Sequence, residues 1–185
     1  MRALPIFHDP PQDGPEMRVA PFGQPHDGPM RFYLWQDVLE ELWFAAGYRE
    51  RPSAALLTGL YGISEDGPFI EVTGFEGLDY FDELSDLTEV FKPMLEQNMQ
   101  DRPTALSAAV PGPVGFFARA PGATIDEELA RLHLTLFNVP YQVALLLDPE
   151  QEKIAVYTRQ PRGRFFAAAF HLVSPNAASA VGEEQ

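Results

Sequence analysis

Apolar and polar positions change their period several times between Arg31 and Leu172, and each change marks an element. Arg31 to Leu34 predicts a short strand. Val38, Leu39, Leu42, Trp43 and Ala46 then recur at helical spacing behind Asp37-Val38-Leu39-Glu40, a capping sequence, with Gly47 as the expected stop. Ala54 to Tyr61 and Phe69 to Phe75 are apolar, β-branched or aromatic runs, and Ser64-Glu65-Asp66-Gly67 between them predicts a hairpin turn. Leu87, Val90, Phe91, Met94 and Leu95 predict a second helix that Pro93 should kink or split. Ala105 to Ala118 reads as a strand interrupted by Pro111-Gly112-Pro113. Thr124-Ile125-Asp126-Glu127 reads as a capping box opening a third helix, with Leu129, Leu132, His133, Leu136 and Phe137 inward. Tyr141 to Leu147 has the unbroken apolar pattern of a strand buried on both faces. Lys153 to Thr158 and Arg164 to Leu172 complete the order. The pattern predicts one α/β domain over residues 30–172, a mixed β-sheet sandwiched by helices.

The ends read differently. Residues 1–29 hold Pro5, Pro10, Pro11, Pro15, Pro21, Pro25 and Pro29 among glycines, which predicts a flexible arm that lacks backbone donors and apolar surface. Two similar patches around His8-Asp9-Pro10 and Pro25-His26-Asp27 would suit linker or a short docking motif. Residues 173–185 predict an acidic tail. With 185 residues, 45% of them hydrophobic, the chain can bury one substantial core. It has no cysteine, so disulfides, thiolate metal sites and thiol nucleophiles are out of reach. A net charge of −14 opposes binding to nucleic acid and suits either solubility or a protein partner with a basic surface. The absence of a signal-like or membrane-length apolar run predicts a cytoplasmic protein that does not engage a membrane.

Three stretches carry a family resemblance. Leu56-Leu57-Thr58-Gly59 precedes a hairpin, Gly115-Phe116-Phe117-Ala118-Arg119-Ala120-Pro121 ends a strand, and Val143-Ala144-Leu145-Leu146-Leu147 runs into Asp148-Pro149. Together with the element order they resemble the MPN/JAMM domain of zinc isopeptidases, a cytidine-deaminase-like fold. In that family the second stretch reads Gly-Trp-Tyr-His-Ser-His-Pro and its histidines hold zinc. Ala118 and Ala120 replace both. The family's glutamate should fall near Pro52, where Glu50-Arg51-Pro52-Ser53 places no acid in register, and Thr124 and Glu127 stand at the positions of its Ser-x-x-Asp motif. Catalytic zinc needs about three protein ligands, so Glu127 alone would not hold it. The resemblance thus implies a degenerate member with no metal, no cofactor and no isopeptidase activity.

What remains is binding. The resemblance implies a scaffold or adaptor, like metal-free members that pair with other subunits, as a homo- or heterodimer through helical faces. Trp35 or Trp43, if exposed, would mark such a face, since tryptophan is enriched at interface centres. The acidic stretch around Glu76, Asp79, Asp82, Glu83, Asp86 and Glu89 carries Leu78, Tyr80, Phe81 and Leu84, a second candidate interface. Two alternatives stay open: recognition of a peptide or ubiquitin-like protein in the former active-site groove, and metal-independent enzymology built on His133 and His171 with Asp148 or Glu127. Arg119 is expected to brace the strand end by pairing with an acid such as Glu127.

Overall fold

The computed structural model describes residues 6–23, 30–48, 51–82, 87–100, 111–137, 142–159 and 163–176. Its strands are β1 (Ile6–Phe7), β2 (Met17–Phe22), β3 (Arg31–Trp35), β4 (Ser53–Ser64), β5 (Gly67–Tyr80), β6 (Gly112–Arg119), β7 (Val143–Asp148), β8 (Lys153–Arg159), β9 (Phe165–Ala168) and β10 (Phe170–Pro175). Its helices are α1 (Gln36–Tyr48), α2 (Leu87–Gln100) and α3 (Glu127–Leu136), with a 3-10 turn at Pro121–Ala123. All strands join one mixed sheet in the order β2-β10-β3-β5-β4-β6-β7-β8-β9, and β1 pairs with the far end of β4. The α/β class and the mixed sheet therefore hold.

Strand β7 shows how the pattern becomes structure. All six of its residues are buried. Val143, Leu145 and Leu147 enter the cluster beneath α1, and Ala144 and Leu146 enter the cluster beneath α2 and α3. A strand with apolar side chains on both faces needs cover on both, and the helices supply it. α1 inserts Val38, Leu42 and Ala46 among Phe32, Leu57, Ile70, Phe117 and Leu145. On the opposite face, Leu87 and Phe91 of α2 and Leu129 and Leu132 of α3 meet Leu56, Phe116 and Leu146.

The sheet curls. β9 bonds to β8 at one end of the strand order, while β10 bonds to β3 and β2 at the other, and only Ala169 separates the two strands. Successive Cα atoms lie about 3.8 Å apart, so the two ends of the order are drawn together by one stretch of backbone. α1 sits inside the curl and touches β3, β5, β6, β7 and β10. The single final strand expected over Arg164 to Leu172 is thus two strands with different neighbours.

The expected flexible arm contributes two strands. β2 lies antiparallel along the whole of β10, from Met17 opposite Pro175 to Phe22 opposite Phe170. Pro21 does not prevent this, because β2 is an edge strand where a residue can lack a donor without breaking the ladder. Asp13 accepts from the Val19 amide at 3.0 Å, and the Asn176 side chain donates to the carbonyls of Gly14 (2.7 Å) and Pro15 (3.1 Å). The start of the expected tail, Val173 to Asn176, therefore belongs to the fold, while 177–185 fall outside the described residues. Three further expectations are corrected. α1 runs through Gly47 to Tyr48, α2 is not split but continues through Pro93 on its exposed side, and α3 is capped by Asp126, which accepts from the Leu129 amide at 2.8 Å. Thr124 instead bonds the Gly122 carbonyl at 3.2 Å. Residues 105–110 and Tyr141, expected in strands, lie outside the described residues.

Candidate functional site: a filled strand end and an aromatic groove

Gly115 sets the geometry of the strand end. A Cβ at this position would collide with the Val143 carbonyl oxygen, so only glycine lets β6 approach β7 this closely. The register between β4 and β6 shifts beside it, with Leu57 opposite Gly115 and Thr58 opposite Pro113. Beyond the shift Phe116 and Ala118 point toward α2 and α3, and Phe117 points toward α1. Ala118 and Ala120 are 0% and 1% exposed and pack with Ala54, Leu56, Leu129 and Leu132. Phe116 fills the same side, with Phe137 at 5.0 Å and Phe91 at 6.2 Å between ring centres. Ala118 and Ala120 thus lie inside packed core.

The loop after the strand is held by Asp148. Its carboxylate accepts from the amides of Gly122 (2.5 Å), Glu150 (3.0 Å) and Gln151 (3.2 Å). The Gly122 bond is the main reason this carboxyl titrates below its ordinary value; burial opposes the shift, and the other two amides and the Arg119 charge add to it. Arg119 pairs with Glu150 at 2.6 Å and not with Glu127. Glu127 opens α3 with its side chain 94% exposed and lies 3.8 Å from Arg131 one turn on, a surface pair of small worth. It is outside the cluster that holds Ala118 and Ala120.

The two histidines serve separate packing clusters. His133 is buried among Phe116, Phe137 and Phe165, and its Nε2 donates to the Gln142 carbonyl at 3.0 Å. Burial lowers its pKa to about 4, which keeps it neutral at physiological pH. His171 stacks on Tyr33 with ring centres 4.9 Å apart. Among the described residues no three His, Asp or Glu side chains gather as a metal-holding group.

The exposed chemistry lies on the other side of the sheet. α1 buries Val38, Leu42, Ala45 and Ala46, and its opposite stripe presents Phe44 at 72% exposure and Tyr48 at 62%. These rings are 5.9 Å apart, and Tyr48 lies 6.4 Å from Tyr80 on β5. The Tyr80 hydroxyl donates to the Ala45 carbonyl at 3.1 Å and ties the strand to the helix. Between them runs an open groove of about 570 Å³, floored by Phe75, Leu78, Ala45 and Tyr80 and rimmed by Glu40, Glu41, Phe44 and Tyr48. Strict alternation would send Phe75 and Leu78 to opposite faces. The register slips between Ala54 and Leu56, where Gly77 adopts φ +65°, and this bulge puts Phe75, Leu78 and Tyr80 on one face.

Of the expected interface residues, the groove includes Tyr80. Phe81 is only 8% exposed and packs with Leu87 and Phe91, so it belongs to the core. Leu84 lies outside the described residues. Trp43 packs against the α1 core, and Trp35 donates from Nε1 to Glu71 at 2.7 Å, so neither is the exposed tryptophan sought. Phe44 and Tyr48 were missed, although their spacing of four on the face opposite Val38, Leu42 and Ala46 was readable.

No protein-family model matches the chain, and no curated protein does. Among solved structures it is similar to the solution structure of protein DSY2949 from Desulfitobacterium hafniense, at 18% identity, covering 76% of this chain and 92% of that one with a TM-score of 0.45. A likeness this slight bears on neither activity nor partner. Among the described residues no helix is long and apolar enough to cross a membrane.

Proposed function

We propose that this protein is a non-catalytic, MPN-like domain of the cytoplasm that works by holding a protein partner. The element order over residues 31–175, strand, helix, hairpin, helix, strand, helix and closing strands, supports the MPN-like reading. So does the place of Gly115 to Pro121 at the end of a strand paired in parallel with β7. Methyl groups stand where that family has its histidines, and a methyl group offers no electron pair to zinc. The observation that carries the proposal is the pair of exposed rings, Phe44 and Tyr48, over a preformed apolar groove. Large aromatics cost solvation when left in water and are enriched at the centres of protein interfaces.

The test has two parts. Elemental analysis of protein purified without chelator is expected to find no stoichiometric zinc; about one zinc per chain, or hydrolysis of an isopeptide-linked substrate, would overturn the non-catalytic reading. A photo-cross-linking residue placed at position 44 in the native host is expected to trap a discrete protein partner, and the same residue at the exposed position 131 of α3 is not. Equal trapping at both positions would remove the argument for the groove.

A further inference from the structure

We infer that the groove between α1 and β5 receives an apolar segment of another protein flanked by lysine or arginine. This rests on the interaction reading above and names the chemistry of the partner. The floor of the groove is built before anything binds, because the Tyr80 hydroxyl holds β5 to the Ala45 carbonyl and the bulge at Gly77 turns Leu78 toward α1. A preformed floor spares the ordering entropy that a mobile surface loses on binding. The volume of about 570 Å³ is of the size that accepts bulky apolar groups. Phe44 and Tyr48 stand on its rim as exposed rings that such groups can lie against.

Charge selects among the occupants. Glu40 and Glu41 border the groove on a chain of net charge −14. A second copy is disfavoured, because an isologous contact would bring Glu40 and Glu41 of each copy against their equivalents or close to them. The acidic pair Glu183-Glu184 makes that segment of the sequence a poor match for the same rim. Cationic side chains on either side of an apolar anchor gain attraction at the rim and leave the groove's centre to the anchor, the arrangement of an apolar core with a polar rim.

The experiment uses the isotopically labelled full chain and two blocked peptides, one with leucine and tryptophan between lysine pairs and one with glutamates in place of the lysines. The lysine peptide is expected to shift resonances of α1 and of residues 75–80 saturably, and the glutamate peptide to bind at least about tenfold more weakly. Replacing Phe44→Ser together with Tyr48→Ser should weaken the lysine peptide at least about tenfold, with the melting temperature within a few degrees. Glu40→Lys with Glu41→Lys should reverse the preference between the peptides. Equal binding of both peptides, binding that survives loss of the two rings, or no shift on α1 at millimolar lysine peptide would each overturn the inference. Self-association of the chain through position 48 would also overturn it while leaving the interaction reading intact. Stoichiometric zinc or hydrolysis would instead strike at the non-catalytic reading.

Discussion

Gly115 and Gly47 show how differently the same residue type can act. At Gly115 a Cβ would strike the Val143 carbonyl oxygen, which is backbone and cannot step aside. Gly115→Ala is therefore expected to cost more than about 3 kcal/mol, since β6 and β7 must separate at a buried position. Gly47 lies in α1, and a Cβ there would sit 3.8 Å from the Pro149 side chain, an ordinary contact. Gly47→Ala is expected to stabilise by up to about 0.5–1 kcal/mol by restricting the unfolded chain. Denaturant unfolding of both variants checks the pair, and a shift of the same sign in both would contradict the account. Asp148 is the third decisive residue, because it fastens the turn after the strand end to the start of the β7–β8 turn through amides of both.

At the scale of elements, β2 and α1 carry the main consequences. β2 covers Tyr33, Phe69 and Val173 with Met17 and Val19, and Phe22 stacks on Phe170 at 4.8 Å. Deleting residues 1–23 would uncover this apolar cluster and leave β10 as a bare edge. The expected loss is about 2–4 kcal/mol, from burial worth roughly 1.5–3 kcal/mol for each large side chain that is fully covered, with aggregation through the new edge. Thermal unfolding and light scattering of the truncated chain test this, and an unchanged midpoint would return residues 1–23 to the status of an appendage. α1 has the opposite character, since its outer stripe presents Phe44 at 72% exposure. Changes at Phe44 should leave stability within about 0.5 kcal/mol, and Leu42, fully buried in the same helix, should not tolerate alanine for less than about 2 kcal/mol.

At the scale of the whole molecule, acid should act through His133 first. Its folded pKa of about 4 lies below the ordinary 6.5, so between these values the unfolded chain binds more protons and stability falls as pH falls. The loss is absent above pH 6.5 and reaches about 3 kcal/mol below pH 4. Asp148, also lowered, adds its loss at lower pH, as the solution drops through the ordinary carboxylate range toward its folded pKa. His133→Leu is expected to remove about 2–3 kcal/mol of the stability difference between pH 7 and pH 4.5, whatever its effect at neutral pH; an unchanged pH dependence would show that His133 is not the group. Much of this was legible in the chain. The helical repeat of α1, the Asp-Gly hairpin and the two-sided burial of β7 follow from local periods, because backbone geometry makes every third or fourth position, or every second, share a face. The inward place of His133 was legible for the same reason. The cap of α3 was misread because Thr124 and Asp126 both suit an N-cap, and only the path of the loop held by Asp148 chose between them. The proline-rich start was misread because proline argues against a central strand, and only the tertiary fold provided the edge along β10 where β2 could pair. The filled strand end and the open aromatic groove had the same origin. Period by itself determined which faces of each element are apolar, but which of those faces found cover depended on how the sheet curled and where its bulges fell, and that is a matter of contacts between residues far apart in sequence.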